Sequence, residues 1–247
     1  GYSTDPGRPS LRRALAERLR EHVRIDCGPD DLLITAGANH AFTTALTTLV
    51  SAGDEVVLPA PYFTNHQMAI QAAGAIAIEA PVADRESYNV TWDDIAPALT
   101  ERTRAVVLCN PSNPTGAPVN AAAGTRIVSE LASRDILVIS DETYMHFVYG
   151  DEHWSAASVS DWRRNVILVG TFSKSFAMMG WRIGYMLADA PVCTQATKVQ
   201  DAMIICAPTI SQIAAEAAVR DDWDYPRRFH SDLLERRRIL SDALTRC

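Results

Sequence analysis

Short runs of apolar residues alternate with longer amphipathic stretches through most of the chain. The runs are rich in Val and Ile, and most lack the polar alternation of a half-exposed strand. We interpret seven of them as strands buried on both faces, as in a largely parallel sheet covered by helices. The predicted strands are Leu32–Thr35, Glu55–Leu58, Ala75–Glu79, Ala105–Cys109, Leu137–Ser140, Val166–Val169 and Ile183–Leu187.

Helical spacing of apolar residues fills several of the intervals between these runs. Leu11–Arg24 has such spacing, and Ser10 is predicted to be its N-cap. Ala121–Arg134 is the clearest crossover helix, because it joins two predicted strands. Further helices are predicted at Asn39–Val50, Ile210–Val219 and Tyr225–Thr245. The fold class is therefore α/β, with three layers: a mostly parallel seven-stranded sheet and helices on both faces.

The composition is that of a globular domain with a sizeable core. The chain has 247 residues, 47% hydrophobic content and a net charge of −7. An acidic balance and scattered arginines argue against nucleic acid or a membrane surface as the partner. No apolar run approaches the length of a membrane span. We find no internal repeat or linker, so one large domain is expected.

Cysteine and histidine spacing predicts neither a metal site nor a disulfide framework. The five cysteines are odd in number, widely spaced and without a CxxC pair. Reduced thiols in a cytoplasmic protein are the preferred interpretation. The histidines show no metal-ligand spacing and are interpreted as surface or core residues. The cysteines are Cys27, Cys109, Cys193, Cys206 and Cys247, and the histidines are His22, His40, His66, His146, His153 and His230.

Residues that can carry chemistry directly follow four of the predicted strands. In open α/β sheets, ligands bind outside the carboxyl ends of the strands. These four strand ends supply an amide, a carboxylate with a phenol, a lysine with an arginine, and a helix N-terminus of small residues. Such a set suits an anionic, aromatic ligand that bears a carbonyl group. The segments are Ala36–Asn39, Asn110–Gly116, Asp141–Tyr144 and Gly170–Gly184.

Three segments carry a resemblance to a known family. NPSNPTG at Asn110–Gly116, SDETY at Ser140–Tyr144 and TFSKSFAMMGWRIG at Thr171–Gly184 resemble the fold type I pyridoxal-phosphate enzymes, and among them the class I/II aminotransferases. They occur in the family's order and at approximately its separations. The resemblance covers Tyr2 to about Gln212, most of the chain. It implies pyridoxal 5'-phosphate as the cofactor.

The resemblance also implies a domain organisation. Residues 1–247 would form the pyridoxal-phosphate-binding large domain of the aspartate aminotransferase-like fold. The last helix, about 225–247, would lead toward a small C-terminal domain that is absent. The chain has no initiator methionine and stops within a predicted helix. We therefore expect it to be incomplete and inefficient in turnover on its own.

Lys174 is the residue that the resemblance assigns to the covalent link with the cofactor. A lysine amine forms an imine with an aldehyde when its pKa is low enough to leave the amine free. Once the substrate's amino group displaces it, the same amine can move a proton between the substrate Cα and the cofactor. A solvated surface lysine is the alternative. Lys174 instead follows an apolar strand, among Ser, Thr and Gly.

The resemblance places three further residues around the cofactor ring. Asp141 would face the pyridine nitrogen, where a carboxylate keeps the ring protonated. Tyr144 and Asn113 are assigned to the ring oxygen. The alternatives are an aspartate that caps the next turn and an ordinary Asn-Pro turn. The expected catalytic residues are therefore Lys174, Asp141 and Tyr144.

A phosphate group needs backbone N–H groups and a cation. Gly37, Ala38 and Asn39 begin a helix after a strand and would offer both amides and the positive end of a dipole. Ala38 stands where many members of the family have other small or hydroxyl residues, a change that backbone donors survive. The resemblance adds the guanidinium of Arg182 and the hydroxyl of Thr171. A plain β–α turn is the alternative for the first three.

Two tyrosines complete the expected site. In the family, an aromatic residue at the place of Tyr62 stacks on the pyridine ring, and a packed core aromatic is the alternative. Tyr2 resembles a family tyrosine that reaches the partner's phosphate across a dimer. The resemblance therefore implies a homodimer with the active site at the subunit boundary.

The function that we expect is transfer of an amino group between an L-amino acid and a 2-oxo acid, a reaction of amino acid metabolism and biosynthesis. Fold and cofactor do not determine the reaction type. A pyridoxal-phosphate-dependent lyase or oxidase of specialised metabolism is therefore one alternative. A non-catalytic ligand-sensing domain of a regulator is the other. The sequence identifies neither the amino acid nor the residue that would bind its α-carboxylate.

Overall fold

A seven-stranded sheet forms the centre of the computed structural model, which describes residues 1–149 and 152–246. The strand order is β1-β7-β6-β5-β4-β2-β3. β7 runs antiparallel to both of its neighbours, and the other pairs are parallel. The mostly parallel sheet expected from the apolar runs is confirmed. The strands are β1 (Leu32–Thr35), β2 (Glu55–Ala60), β3 (Ile76–Pro81), β4 (Thr103–Cys109), β5 (Leu137–Asp141), β6 (Val166–Thr171) and β7 (Gly184–Leu187).

Helices cover both faces of the sheet. They are α1 (Pro9–Arg18), α2 (Ala38–Leu49), α3 (Thr64–Ala72), α4 (Trp92–Ile95), α5 (Ala121–Ala132), α6 (Phe172–Ser175), α7 (Ala190–Ile204), α8 (Thr209–Asp221) and α9 (His230–Leu244). Successive residues of one strand point to opposite faces. Val106 of β4 therefore joins one buried cluster with α1, α5 and α8. Its neighbour Val107 joins the other cluster, with α2, α3 and α7. The three-layer prediction is confirmed.

The prediction for the first helix is wrong at its start, although helical structure continues to Val23 as the apolar spacing predicted. α1 begins at Pro9, with Arg8 as the N-cap residue, so Ser10 lies inside the helix. The Ser10 hydroxyl donates instead to Glu216 of α8, at 2.6 Å. After Arg18 the helix widens into a π-helical segment, Leu19–Val23, which ends where Arg24 adopts a left-handed φ of 62°.

Helices α3 and α7 do not stand out in the apolar pattern. α7 buries only Cys193, Ala196 and Gln200. A buried face made of a thiol, a methyl group and an amide gives little hydrophobic periodicity, although its spacing is helical. α3 buries only His66 and Ile70. Small and polar buried residues explain why α7 escaped prediction, and a buried face with a single apolar residue explains why α3 did.

Burial on both faces fails at one edge of the sheet. β3 pairs only with β2, and Ala80 is its one buried residue. α9 is similarly exposed, because it buries none of its described residues.

No helix in the described part of the chain is both long and apolar enough to cross a membrane. The four described cysteines are free thiols, and Cys247 lies outside the described residues.

Candidate functional site

The chemistry-bearing segments meet at the carboxyl ends of the parallel strands. The reversed strand β7 begins at this end of the sheet. Gly184, its first residue, pairs with Thr35 at the end of β1 and with Thr171 at the end of β6. The chain therefore leaves the sheet after β6 and re-enters it at the same edge. Asp141 ends the parallel strand β5, next to β6. Lys174, which follows β6, thus emerges close to Asp141.

A cavity of about 350 Å³ opens at this edge. Eight residues proposed from the sequence line it: Ala38, Asn39, Asn113, Asp141, Tyr144, Thr171, Lys174 and Arg182. Five further lining residues had not been proposed for the site: Phe63, Cys109, Thr143, Ser173 and Met179. The ends of five strands, β1, β2, β4, β5 and β6, and the loops after them thus contribute to one concave surface, as expected for a ligand site.

Lys174 projects from the single helical turn α6. The Thr171 hydroxyl caps this turn by accepting a hydrogen bond from the Ser173 N–H at 3.1 Å. Ser173 and Ser175 are buried, whereas Lys174 is exposed and lines the cavity. The turn therefore presents one amine to the cavity between two fixed neighbours.

Asp141 is almost fully buried and paired. Its Oδ2 lies 2.9 Å from Nε2 of His66, and its Oδ1 accepts from the Thr143 N–H at 3.0 Å. Burial opposes ionisation, but the hydrogen bonds from His66 and Thr143 and the charge on His66 hold the pKa of Asp141 below its ordinary value. The carboxylate is therefore ionised and suited to hold a protonated ring nitrogen.

His66 is a site residue that the sequence analysis missed. It sits on α3, with its ring centroid 4.5 Å from that of Phe42 and 5.4 Å from that of Phe63. Its other nitrogen, Nδ1, is buried without a hydrogen-bond partner among the described residues. The partner carboxylate is 75 residues away in the chain. Only a three-dimensional contact, and no local spacing, identifies it.

The guanidinium of Arg182 lies against the start of α2. Gly37 has a left-handed φ of 91°, and a methyl group placed on it would lie 2.6 Å from Nη2 of Arg182. A methyl group on Gly184 would lie 2.8 Å from the Gly170 oxygen and 2.9 Å from the Ala38 nitrogen. Glycine at both positions lets the guanidinium and the helix amides converge. Amides at a helix N-terminus and a planar guanidinium together suit a phosphate.

The two asparagines of the NPSNPTG segment do different work. The Asn110 side chain is buried, accepts from the Val119 N–H at 2.9 Å and donates to the Trp154 carbonyl at 2.6 Å. It fixes the loop, while Asn113 lines the cavity.

Tyr144 lines the same cavity, and burial and then the proximity of Cys109 and Asp141 raise its pKa. Its phenol therefore stays protonated and can donate a hydrogen bond.

The structure does not bring Tyr62 or Tyr2 to this cavity. Tyr62 is partly buried against the core and lines a neighbouring cleft with His66. The next residue, Phe63, lines the cavity. The sequence offers two adjacent aromatics and no means of choosing between them. Tyr2 is 79% exposed and lies at the surface.

A second buried carboxylate stabilises the loop beside Asp141. Glu142 accepts hydrogen bonds from the hydroxyls of Ser140 and Ser155 at 2.9 and 3.0 Å and from the Ala156 N–H at 3.0 Å. Its other oxygen lies 2.7 Å from Nε2 of His153. The end of β5 is thus anchored directly after the residue that reaches the cavity.

The donor set fits one kind of ligand. An anion can bind at Arg182 and α2, a protonated ring nitrogen at Asp141, and a carbonyl carbon at Lys174. No group of three or more His, Cys, Asp or Glu side chains in the described ranges is arranged to hold a metal ion.

Comparisons with known proteins give a consistent result. The family model for aminotransferase class I and II matches residues 1–247. An aspartate aminotransferase of Pyrococcus abyssi is 33% identical over 97% of this chain and 62% of its own length. An aromatic-amino-acid aminotransferase of Thermococcus litoralis is 32% identical over the same shares, 97% and 62%. The chain thus spans less than two thirds of these curated relatives.

Solved structures agree with the fold described above. An aromatic aminotransferase from Pyrococcus horikoshii superposes with a TM-score of 0.95 at 32% identity. That likeness covers 100% of this chain and 67% of the other. The sheet, its reversed strand and the surrounding helices are therefore shared along the whole chain.

Proposed function

Because the chain belongs to the family of class I and II aminotransferases, we propose that it transfers an amino group between an L-amino acid and a 2-oxo acid, with pyridoxal 5'-phosphate as its cofactor. The observation that carries this proposal is the convergence of Lys174, Asp141 and Arg182 on one cavity. When bound, the cofactor supplies an electron sink for the bonds at the substrate Cα. The residues of this chain would bind it, orient it and move protons.

The phosphate would be held at the start of α2. The N–H groups of Ala38 and Asn39 follow Gly37, whose missing side chain admits the Arg182 guanidinium. That guanidinium is itself oriented, because its Nη1 donates to the Met179 carbonyl at 2.7 Å. The Thr171 hydroxyl lies in the same cavity. A fixed cation, a helix N-terminus and a hydroxyl match the charge and acceptors of a phosphate.

The ring would be held between three polar groups and one aromatic side chain. Asp141, ionised and supported by His66, would keep the ring nitrogen protonated. Asn113 and Tyr144 would donate hydrogen bonds to the ring oxygen. We propose that Phe63, which lines the cavity, packs against the ring in place of Tyr62.

Lys174 would have two functions in this arrangement. Its amine would hold the cofactor covalently until the amino group of the substrate replaces it. The freed amine, still at the end of α6, would then accept the proton from the substrate Cα and deliver it to the cofactor side. Both functions require the amine to stay within reach of the same carbon atoms.

Transamination can be tested by following both products. Aspartate and aromatic amino acids are the first donors to try, because relatives of this chain carry those names. We expect each donor to change the absorption of the bound cofactor and to yield its oxo acid, while 2-oxoglutarate gains one amino group per turnover. Release of ammonia or carbon dioxide without amination of 2-oxoglutarate would favour a lyase or oxidase. A spectral change without turnover for any donor would favour a ligand-sensing domain.

We also propose a homodimer with the site at the subunit boundary. Exposed apolar residues lie on the N-terminal segment, on the loop before Arg182 and on α7 and α8: Tyr2, Trp181, Ile204, Ile210 and Ile213. These segments are linked, because the Ser211 hydroxyl donates to the Trp181 carbonyl at 2.7 Å and the Thr209 hydroxyl to the Gly1 carbonyl at 3.1 Å. Isologous pairing would bury this surface and bring Tyr2 toward the other subunit.

Ile213→Lys is expected to shift the protein from dimer to monomer and weaken its hold on the cofactor phosphate. A charge on α8 would have to be desolvated in the interface. Light scattering would measure the mass, and a titration would measure cofactor affinity. Ile76→Lys is the matched control, because Ile76 is a similarly exposed isoleucine at the far edge of the sheet. A wild-type monomer with full activity would contradict the dimer.

The domain and compartment follow as further proposals. Residues 1–247 would form the cofactor-binding large domain. α9 exposes Leu234, Ile239, Leu240 and Leu244, and we propose that it leads toward a smaller domain that packs on these side chains. Free cysteines are typical of the reducing cytoplasm, and we propose that location.

A further inference from the structure

The helical turn that carries Lys174 has little backbone support of its own. α6 has four residues, and the Phe176 N–H to Phe172 carbonyl bond at 3.0 Å closes its only turn. Directly afterwards, Ala177 adopts a left-handed φ of 52°, so the chain turns away. Isolated single turns are unstable because nucleation fixes several residues for one hydrogen bond. The direction of Lys174 therefore depends on side-chain anchors around the turn.

One such anchor lies directly after Lys174. The buried Ser175 hydroxyl is 2.8 Å from Nδ1 of His146, in the segment that follows β5. The His146 ring packs at steep angles against Phe176 and Trp223, at centroid distances of 6.3 and 5.2 Å. Its backbone carbonyl accepts from Nε2 of His230 at 2.5 Å. The imidazole that meets Ser175 is thus itself held by both aromatic rings and by α9.

The charge state of His146 suits this contact. Burial, and then the nearby charges of His153, Arg227 and His230, lower its pKa to about 4. The imidazole is therefore neutral at neutral pH. A neutral imidazole has one nitrogen free to accept a hydrogen bond, and the Ser175 hydroxyl can donate to it.

We propose that His146 is a positioning residue for Lys174, acting through the Ser175 hydroxyl to hold α6 so that the amine stays aimed into the cavity. The proposal rests on the function proposed above, which gives Lys174 its role. Reacting groups lose rate steeply when they are misplaced by as little as about 1 Å. Supporting hydrogen bonds behind the reacting residue are what prevent such misplacement.

Four variants isolate this hydrogen bond. His146→Phe keeps an aromatic ring against Phe176 and Trp223 but removes the acceptor, and Ser175→Ala removes the donor. Each is expected to slow the linking of pyridoxal phosphate to Lys174 by about ten-fold, the effect of one lost hydrogen bond on a rate. The double variant should be no slower than either single one. His146→Gln, whose amide oxygen can accept, should recover most of the rate.

Binding of pyridoxamine phosphate separates positioning from damage to the fold. This probe has the same ring and phosphate but no aldehyde, so it cannot link to Lys174. Its affinity for the full-length protein should stay within about two-fold in all variants, because the groups that would bind it are untouched.

His22→Phe is the matched control. His22 lines the same cleft as His146 and stacks on Trp223 at 5.7 Å, without contacting Ser175. The His22→Phe variant should link the cofactor at the wild-type rate.

Each outcome decides the proposal. Wild-type linking rates in His146→Phe and Ser175→Ala would overturn it, as would fully additive effects or an equal loss of pyridoxamine phosphate affinity. If His146→Phe does not fold, the other two variants decide alone. Slow cofactor linking in Ser175→Ala together with near-normal linking in His146→Gln supports the proposal. Any other pair of rates refutes it. If the wild-type protein binds neither probe, the proposed function itself fails, and this inference fails with it.

Discussion

Lys174→Ala is expected to abolish the covalent link to pyridoxal phosphate and to lower transamination by roughly 10⁵-fold or more, the order of loss when a covalent nucleophile is removed. The amine of Lys174 has two functions in the proposed reaction, and alanine can perform neither. Cys109 and Tyr144 also line the cavity, but burial raises the pKa of each, so neither is a free base at neutral pH. Neither of these two side chains can therefore take over the proton transfer, and the ionised Asp141 carboxylate is proposed to be paired with the ring nitrogen.

The measurement is unusually direct, because the chain has only two lysines, Lys174 and Lys198. Borohydride reduction followed by peptide mapping should place the cofactor on Lys174 and nowhere else. Lys198→Ala is the matched control: Lys198 is exposed on α7 and donates to Gln195 at 3.0 Å. It should keep wild-type turnover. A label on Lys198, or an active Lys174→Ala variant, would contradict the assignment of the covalent link to Lys174.

Asp141→Asn is expected to slow removal of the α-proton by about 10³-fold, or about 4 kcal/mol in the barrier. The amide has the same shape but no charge, so a protonated ring nitrogen loses its counter-ion in a buried place. Because hydrogen bonds hold the pKa of Asp141 below its ordinary value, the wild-type carboxylate is ionised at every pH above that range. The defect should therefore be constant from about pH 6 to 9.

The test is a deuterium isotope effect at the substrate Cα in single turnovers. It should rise in Asp141→Asn if proton removal becomes limiting. A cofactor analogue methylated at the ring nitrogen carries a permanent charge, and it should restore part of the rate in a smaller variant, Asp141→Ala. Asp31→Asn is the matched control, because Asp31 is also a buried carboxylate, paired with Arg163 at 2.9 Å. It should lower stability and leave the isotope effect unchanged. Unaltered kinetics in Asp141→Asn would refute the role.

The pattern of apolar residues was sufficient to predict the sheet. Central strands such as Val166–Thr171 are buried on both faces and therefore have continuous apolar sequences. The same rule misjudged β3, whose position at the edge is a property of topology. α7 was missed because its buried face contains Cys193, Ala196 and Gln200. Burial of small and polar residues leaves no hydrophobic signal in a sequence.

Some residues of the candidate site could be predicted from the sequence, and others could not. Residues within local motifs at strand ends, such as Lys174 and Asp141, could be proposed from the sequence, and the structure places both in one cavity. His66 and His146 could not, because their partners Asp141 and Ser175 are 75 and 29 residues away. Residues that support a reacting group from behind are defined by packing, which a single sequence does not display.

The reversal of β7 also limits how this protein can be engineered or can diverge. Lys174 and Arg182 are held at opposite ends of a short connection whose two flanking strands are hydrogen-bonded to each other, Thr171 to Gly184. Most surface connections accept extra residues freely, but an insertion here would have to leave both ends of the connection in place, because both line the cavity. We expect length variants between these two residues to be rejected by selection, and circular permutants opened there to lose the cofactor while keeping the sheet.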